Sequence, residues 1–206
     1  MKIYIESKKP VHEGAGIAIK LSLSSDTGER SEGELIISFE DYSDFSECIK
    51  VGEITEELFS VLEEKGRIYS AYSCGTYLLG LGECSKTKLV TKLLRRGHDR
   101  ESAETAADML ARAGYIDEYE LVHQAMLHAC LDKCYGRRRI IAELYEKGFA
   151  REVIQEAFRL FEGELDYEGA KKKLLRTKFG SEDPIPTDIK EKQKIMNTLY
   201  RYGHER

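Results

Sequence analysis

The spacing of apolar positions along the chain changes once. Near the start they alternate. KIYIE over 2–6, IAIKLSL over 17–23 and ELIISF over 34–39 are period-two or short β-rich runs separated by Gly, Ser and Asp. They predict a small antiparallel sheet that ends near Phe39. The EGAG stretch lacks the third glycine and the following helix of a dinucleotide fingerprint, so a turn is expected there. From Thr55 onward the spacing is helical. Leu58, Val61 and Leu62 share a face, Gly66 punctuates, and a second apolar helix is expected over 69–79.

The helical part repeats itself. Three segments start with two apolar residues: Leu89–Val90, Ile140–Ile141 and Ile195–Met196. A second pair follows four residues on, Leu93–Leu94, Leu144–Tyr145 and Leu199–Tyr200, and then a glycine, Gly97, Gly148 and Gly203. The pairs predict one apolar helix face, and the glycine suits the C′ position just past a helix end. Beyond the glycine, Ala103, Ala106, Ala107 and Leu110 match Ile154, Ala157, Phe158 and Phe161 in offset. A further helix is expected before each glycine helix, over 67–81, 118–134 and 167–179. Ser85, Asp117 and Asp166 are the candidate N-caps. Each repeat is therefore read as three helices, the third copy as truncated, and the stretch from Gly180 to Thr187 as a mobile loop. The fold class expected is mainly α, with tandem three-helix repeats forming an elongated array behind a small β-rich segment. The boundaries are 1–53 for that segment and 54–114, 115–163 and 164–206 for the repeats.

Charge divides at nearly the same place. Residues 1–65 hold seven Lys and Arg against 15 Asp and Glu, a balance of −8; the remainder hold 25 against 22, a balance of +3. An acidic leader thus precedes a mildly basic body, which does not suit a non-specific DNA coat. Five cysteines without disulfide spacing favour a reducing compartment, and no stretch has the apolar length to cross a bilayer. A cytoplasmic protein that is monomeric and has no membrane contact is expected.

No Walker A loop, zinc-protease helix, nucleophile elbow or CxxC occurs. Ser85-Lys86-Thr87-Lys88 matches SxxK without its companion motifs, and Ser85 is read as a helix cap. His123, His128, Cys130 and Cys134 are dense in metal-ligand types but fall on one expected helix at scattered angles. Packing cysteines are the favoured reading and no metal is expected. No catalytic residue and no cofactor are assigned. The remaining chemistry is cationic: Arg95 and Arg96, Arg137, Arg138 and Arg139, Lys147, then Lys171, Lys172, Lys173, Arg176 and Lys178, with Lys190, Lys192 and Lys194 opening the last helix. Solvated helix faces account for any one cluster. Stacked repeats would align them into a surface for an acidic protein groove or a phosphate backbone.

CYGRRRIIAELYEKGF, over 134–149, resembles the signature of the RecX regulatory proteins, with Gly136, Arg139, Ile140, Glu143, Leu144, Lys147 and Gly148 matching. GYIDEYELV, from Gly114, resembles a second element of that family through Gly114, Tyr115 and Asp117, with Glu118, Leu121 and Val122 as mild departures. The resemblance covers roughly 55–203 and its motifs are not catalytic. It implies a non-enzymatic protein that binds the RecA recombinase filament on single-stranded DNA, lies in its groove and restrains ATP hydrolysis, strand exchange and repressor self-cleavage. The partner-binding residues expected on that basis are the eleven from Arg95 to Lys178 named above. The alternative is a helical DNA-binding protein acting without RecA.

Overall fold

The computed structural model describes residues 2–24 and 30–204; positions 1, 25–29 and 205–206, and with them those stretches of the expected acidic leader and third repeat, lie outside the described residues. The alternating runs form β1 (Lys2–Val11), β2 (Gly16–Ser24) and β3 (Arg30–Ser38). EGAG falls in the connection between β1 and β2, where Gly14 takes a φ of 93°. The sheet does not end near Phe39. After β3 the chain makes a short helix, α1 (Phe39–Asp44), capped by the Ser38 hydroxyl, and returns as β4 (Gly52–Ile54) to pair with Ile3–Ile5. The antiparallel order is β3-β2-β1-β4. Three residues are too few to carry a readable alternation, which is why β4 escapes a sequence reading.

One face of this sheet holds Ile3, Ile5, Ile17, Ile19, Leu21 and Ile37, packed with Ile49 and with Leu58, Phe59 and Leu62 of α2 (Glu56–Gly80). Each such side chain contributes roughly 1.5–3 kcal/mol by leaving water. The α2 helix is continuous, so Gly66 does not punctuate it. A β-carbon there would lie 3.5 Å from Leu35 Cβ and 3.6 Å from the Ile36 carbonyl oxygen. The glycine lets the helix pass close to β3, and that packing outweighs its modest helix-breaking cost.

Six more helices and a seventh follow in chain order: α3 (Lys86–Arg95), α4 (Arg100–Arg112), α5 (Glu118–Leu131), α6 (Arg137–Glu146), α7 (Arg151–Phe161), α8 (Tyr167–Phe179) and α9 (Ile189–Tyr202). The chain divides into two compact units, Met1–Gly82 with Leu89–Tyr115, and Glu83–Lys88 with Ile116–Arg206. In the first, Gly75 of α2 faces Leu89, Leu93 and Leu110, and its missing side chain lets α3 and α4 pack against α2. In the second, Val122, Met126, Ile140, Leu144, Ile154, Ala157 and Phe158 form a core across α5, α6 and α7, while Leu174, Leu175 and Leu199 pack α8 with α9.

The repeat is visible in the ends of its helices. After α3, Gly97 donates to Leu94 O and His98 to Leu93 O, at 3.0 and 3.3 Å. After α6 the same two bonds join Gly148 to Tyr145 and Phe149 to Leu144, and after α9 they join Gly203 to Tyr200 and His204 to Leu199. All three glycines are left-handed, with φ of 92°, 82° and 86°. These are Schellman caps, and a left-handed C′ residue is the reason glycine recurs there. Asp117 and Asp166 cap α5 and α8 through the amides of Glu120 and Gly169. The Ser85 hydroxyl accepts from Lys88 N–H at 3.4 Å and donates to Lys147 O at 3.2 Å.

The ends of α9 and α5 meet the start of α6. Helix α5 stops at Leu131, short of the expected 134, and Cys134 turns left-handed at a φ of 56°. Gly136, the N-cap of α6, has no capping side chain and donates its N–H to Tyr202 O at 2.9 Å. A β-carbon on Gly136 would come within 2.4 Å of Gly203 O, and one on Gly203 within 2.4 Å of Arg139 N. Gly148 has more room, its nearest neighbour being the Ser85 hydroxyl at 3.4 Å.

Gly203→Ala is therefore expected to destabilise the second unit by roughly 2–4 kcal/mol, from left-handed strain plus backbone displacement. Gly148→Ala, with strain alone, should cost about 1–2 kcal/mol. Urea unfolding of the two variants followed by circular dichroism measures the gap, and equal losses would count against the close-approach account.

Candidate partner-binding surface

The described residues include no group of three or more His, Cys, Asp or Glu side chains that could hold a metal ion. His123 stacks on Phe161 at 4.1 Å and pairs with Glu164 at 2.9 Å, while His128 pairs with Asp132 at 2.8 Å. Cys130 and Cys134 are buried, and burial pushes the Cys130 thiol above its ordinary range, so Cys130 is not poised as a thiolate. Ser85 serves as a helix cap and a tie to Lys147, with no base beside it in the contacts described.

The cations differ in how much of their charge is left for a partner. The three arginines that open α6 are engaged within the second unit. Arg137 pairs with Glu162 at 2.7 Å and lies 4.9 Å over the Phe158 ring. Arg138 donates to Tyr200 O, capping the end of α9, and its guanidinium stacks 3.6 Å from the centre of the Tyr200 ring. Arg139 faces Glu146 at 3.7 Å and the Tyr135 ring at 5.6 Å. These are joints between helices, made by planar groups that pair with carboxylates and stack on rings together.

Lys147 is similarly engaged. Its ammonium lies 3.4 Å from Glu143 Oε1, which also accepts from Lys133 at 2.7 Å. Burial would raise the Glu143 carboxyl, but the Lys133 bond and the two ammonium charges hold it below its ordinary value. Glu143 is thus an ionised, largely buried carboxylate at the centre of a three-residue network. In the first unit, Arg96 lies 5.5 Å over the Tyr77 ring and 3.9 Å from the Cys74 sulfur, while Arg95 is exposed.

On α8 the charge is freer. Lys173 donates to Leu131 O at 2.7 Å and Arg176 reaches Glu182 at 3.5 Å, but Lys172 and Lys178 are exposed and have no ion-pair partner among the described residues. The repeat supplies a further comparison. With Asp117 aligned to Asp166, Lys171 and Lys178 occupy the places of Val122 and Ala129, which are buried at 0% and 1% exposure. Two positions that are core in the second repeat are cationic in the third, while Leu175, in the place of Met126, stays buried. Lys171 is also near enough to His204 to oppose its protonation.

His204 and Glu162 were not singled out by sequence reasoning, because their partners, Cys134 and Arg137, are remote in sequence. His204 is 7% exposed and bonds through Nε2 to the Cys134 carbonyl at 3.0 Å. Burial lowers its pKa from 6.5 despite that bond; Lys171 lowers it further and Glu168 opposes. Tyr145 and Tyr200, read as members of the apolar face, are instead 48% and 51% exposed.

No protein-family model matches the chain. Its backbone superposes on a crystal structure of regulatory protein RecX with a TM-score of 0.70, over 98% of this chain and 95% of that one at 19% identity. RecX from Lactobacillus salivarius gives 0.56 over 68% and 89% at 15% identity. The class defined by this fold is a mainly helical array of repeats that follows a small antiparallel sheet in the chain. Regulatory protein RecX of Xanthomonas axonopodis pv. citri is 32% identical over 145 residues, 69% of this chain and 86% of that protein, and RecX of Pelodictyon phaeoclathratiforme is 34% identical over 120 residues, 58% and 72%. The chain belongs to the RecX family.

Two outcomes follow from these environments. Arg138→Ala should cost the second unit about 1–2 kcal/mol through lost stacking and a lost helix cap, whereas Lys172→Glu with Lys178→Glu should stay within about 0.5 kcal/mol of the parent. Denaturant midpoints compare them. His204 binds its proton less readily folded than unfolded, so its contribution to stability is complete above about pH 6.5 and declines as pH falls below it. His204→Gln keeps a donor for the Cys134 carbonyl without titrating. Its unfolding free energy should fall less than the parent's between pH 7.5 and 5.5, and parallel pH profiles would remove His204 from the account.

Proposed function

We propose that this chain is a non-enzymatic regulator that binds the RecA recombinase filament on single-stranded DNA and inhibits its ATP hydrolysis, strand exchange and coprotease activity. The observation that carries the reading is membership of the RecX family, at 32% identity across 86% of a relative called a regulatory protein. Its place of action is then the cytoplasm, in recombination, repair and the SOS response. That no helix is long and apolar enough to cross a membrane is compatible with this.

The eleven cations remain the proposed contact set, and their environments rank them. Lys172, Lys178 and Arg95 are exposed without an ion-pair partner among the described residues and are the foremost candidates. Arg96, Lys171, Lys173 and Arg176 come next. Arg137, Arg138, Arg139 and Lys147 act chiefly by shaping the helices that present the others.

DNA-dependent ATP hydrolysis by the cognate RecA, titrated with this protein, tests the proposal. Inhibition is expected at substoichiometric amounts, weakened several-fold by the Lys172→Glu, Lys178→Glu double variant at low salt. No inhibition by a folded protein, together with nanomolar salt-sensitive DNA binding in the absence of RecA, would replace it with a DNA-binding function.

A further inference from the structure

The sheet has two edges, and they are built differently. On one side β1 is paired with β4 at Ile3–Ile5, and beyond that it carries Lys8, Lys9 and Pro10, residues that discourage pairing with another strand. On the other side lies β3, which has β2 as its one strand neighbour. Helix α2 covers the last part of β3, where Gly66 approaches Ile36 O and both Tyr69 and Ile36 lie beside Gly16. Residues 30–34 are exposed.

Beside that stretch, between β3 and α2, is an open groove of about 770 Å³ whose wall includes Leu21, Leu23, Leu35 and Phe59. Gly33 lies on the same strand face as Leu35, and nothing stands within 4 Å of where its β-carbon would be. The charge around the groove is negative. Glu34 on the strand and Glu63 on α2 line it, and Glu32 lies next to it on the strand, each without an ion-pair partner among the described residues, while Arg67, also in the lining, is paired with Asp99 at 3.7 Å.

We propose that the Arg30–Glu34 edge binds an extended basic segment of a partner protein by strand addition. The segment's backbone pairs with the free edge of β3. Its alternate apolar side chains enter the groove over Gly33, and the intervening Lys or Arg side chains meet Glu32 and Glu34 on the opposite face. Strand addition obtains affinity from main-chain bonds and selectivity from the alternating side chains, which matches an open edge next to an apolar groove. The −8 balance of residues 1–65 favours a basic occupant over an acidic one. A second copy of β3 fits less well, because centred antiparallel pairing sets Glu32 against Glu32 or against Glu34, and like charges directly opposite destabilise. This interaction is independent of the cationic surface and of the RecA reading.

A fluorescein-labelled eight-residue peptide alternating Lys and Val is the probe, read by fluorescence polarisation on the full chain. Its controls are an isomer with the four lysines in one block and two N-methylated versions, one for each frame of alternate residues. The alternating peptide is expected to bind. Binding should weaken about tenfold in the Glu32→Lys, Glu34→Lys variant, and measurably in Glu63→Lys, which lies outside the sheet. One N-methylated frame should abolish binding and the other spare it, and amide exchange at Ser31–Glu34 should slow on binding. The proposal is overturned by equal binding of the alternating and block peptides, by equal effects of the two N-methylated frames, or by no binding at millimolar peptide. Dimerisation without peptide that Glu32→Lys, Glu34→Lys abolishes would give the edge to a second copy instead.

Discussion

Gly136 and Gly203 meet with no space for a side chain on either, and the second unit is organised around that approach. The end of α9 lies against the start of α6 closely enough for Tyr202 O to accept the Gly136 amide. One carbonyl at a helix C-terminus and one amide at a helix N-terminus, each without a partner in its own helix, satisfy each other. The neighbouring features follow from this contact. Cys134 must turn left-handed to bring Gly136 into place, Arg138 then reaches the Tyr200 carbonyl and ring, and His204 is buried against Cys134 O. A buried neutral histidine and a carboxylate held between Lys133 and Lys147 are costly unless partnered. His204 has its partner because α9 meets α6 here, and Glu143 has Lys133 from the α5–α6 connection and Lys147 from the end of its own helix.

That view changes what the matching motif means. Gly136 permits the backbone approach, Ile140 and Leu144 are core, Glu143 and Lys147 share an internal ion pair, and Gly148 is a left-handed cap. Gly114 and Asp117 are likewise a left-handed glycine and an N-cap. These residues specify how a repeat folds. Few residues are needed to set the fold in this way, which explains how a chain 19% identical to a RecX of known structure keeps a similar backbone over nearly its whole length.

Sequence reading succeeded where one residue's own conformation decided the outcome. A left-handed C′ position demands glycine, so Gly97, Gly148 and Gly203 marked helix ends in all three repeats. It failed where a residue's role lies in a remote neighbour. Gly66 looks like a break but serves a helix–strand approach, and nothing local separates the two. The arginine run at 137–139 looks like free charge. Glu162 and Tyr200, which occupy two of its members, lie 25 and 62 residues away. β4 pairs with a strand some 50 residues earlier through three residues, and Tyr145 and Tyr200 kept the apolar spacing while facing water.

The free charge is consequently smaller than the count of Lys and Arg implies, and it is placed where packing gives it up. Lys171 and Lys178 stand at positions that are core in the preceding repeat. In α8 itself Lys178 is exposed and Lys171 half-buried, and Lys178 has no ion-pair partner among the described residues. The charge of Lys178 is thus left unmet among the described residues, whereas the arginines of α6 are taken up by Glu162, Tyr200, Glu146 and the rings beside them. Charge that the fold leaves over is therefore read from the surroundings of each cation, and not from the density of basic residues along the chain.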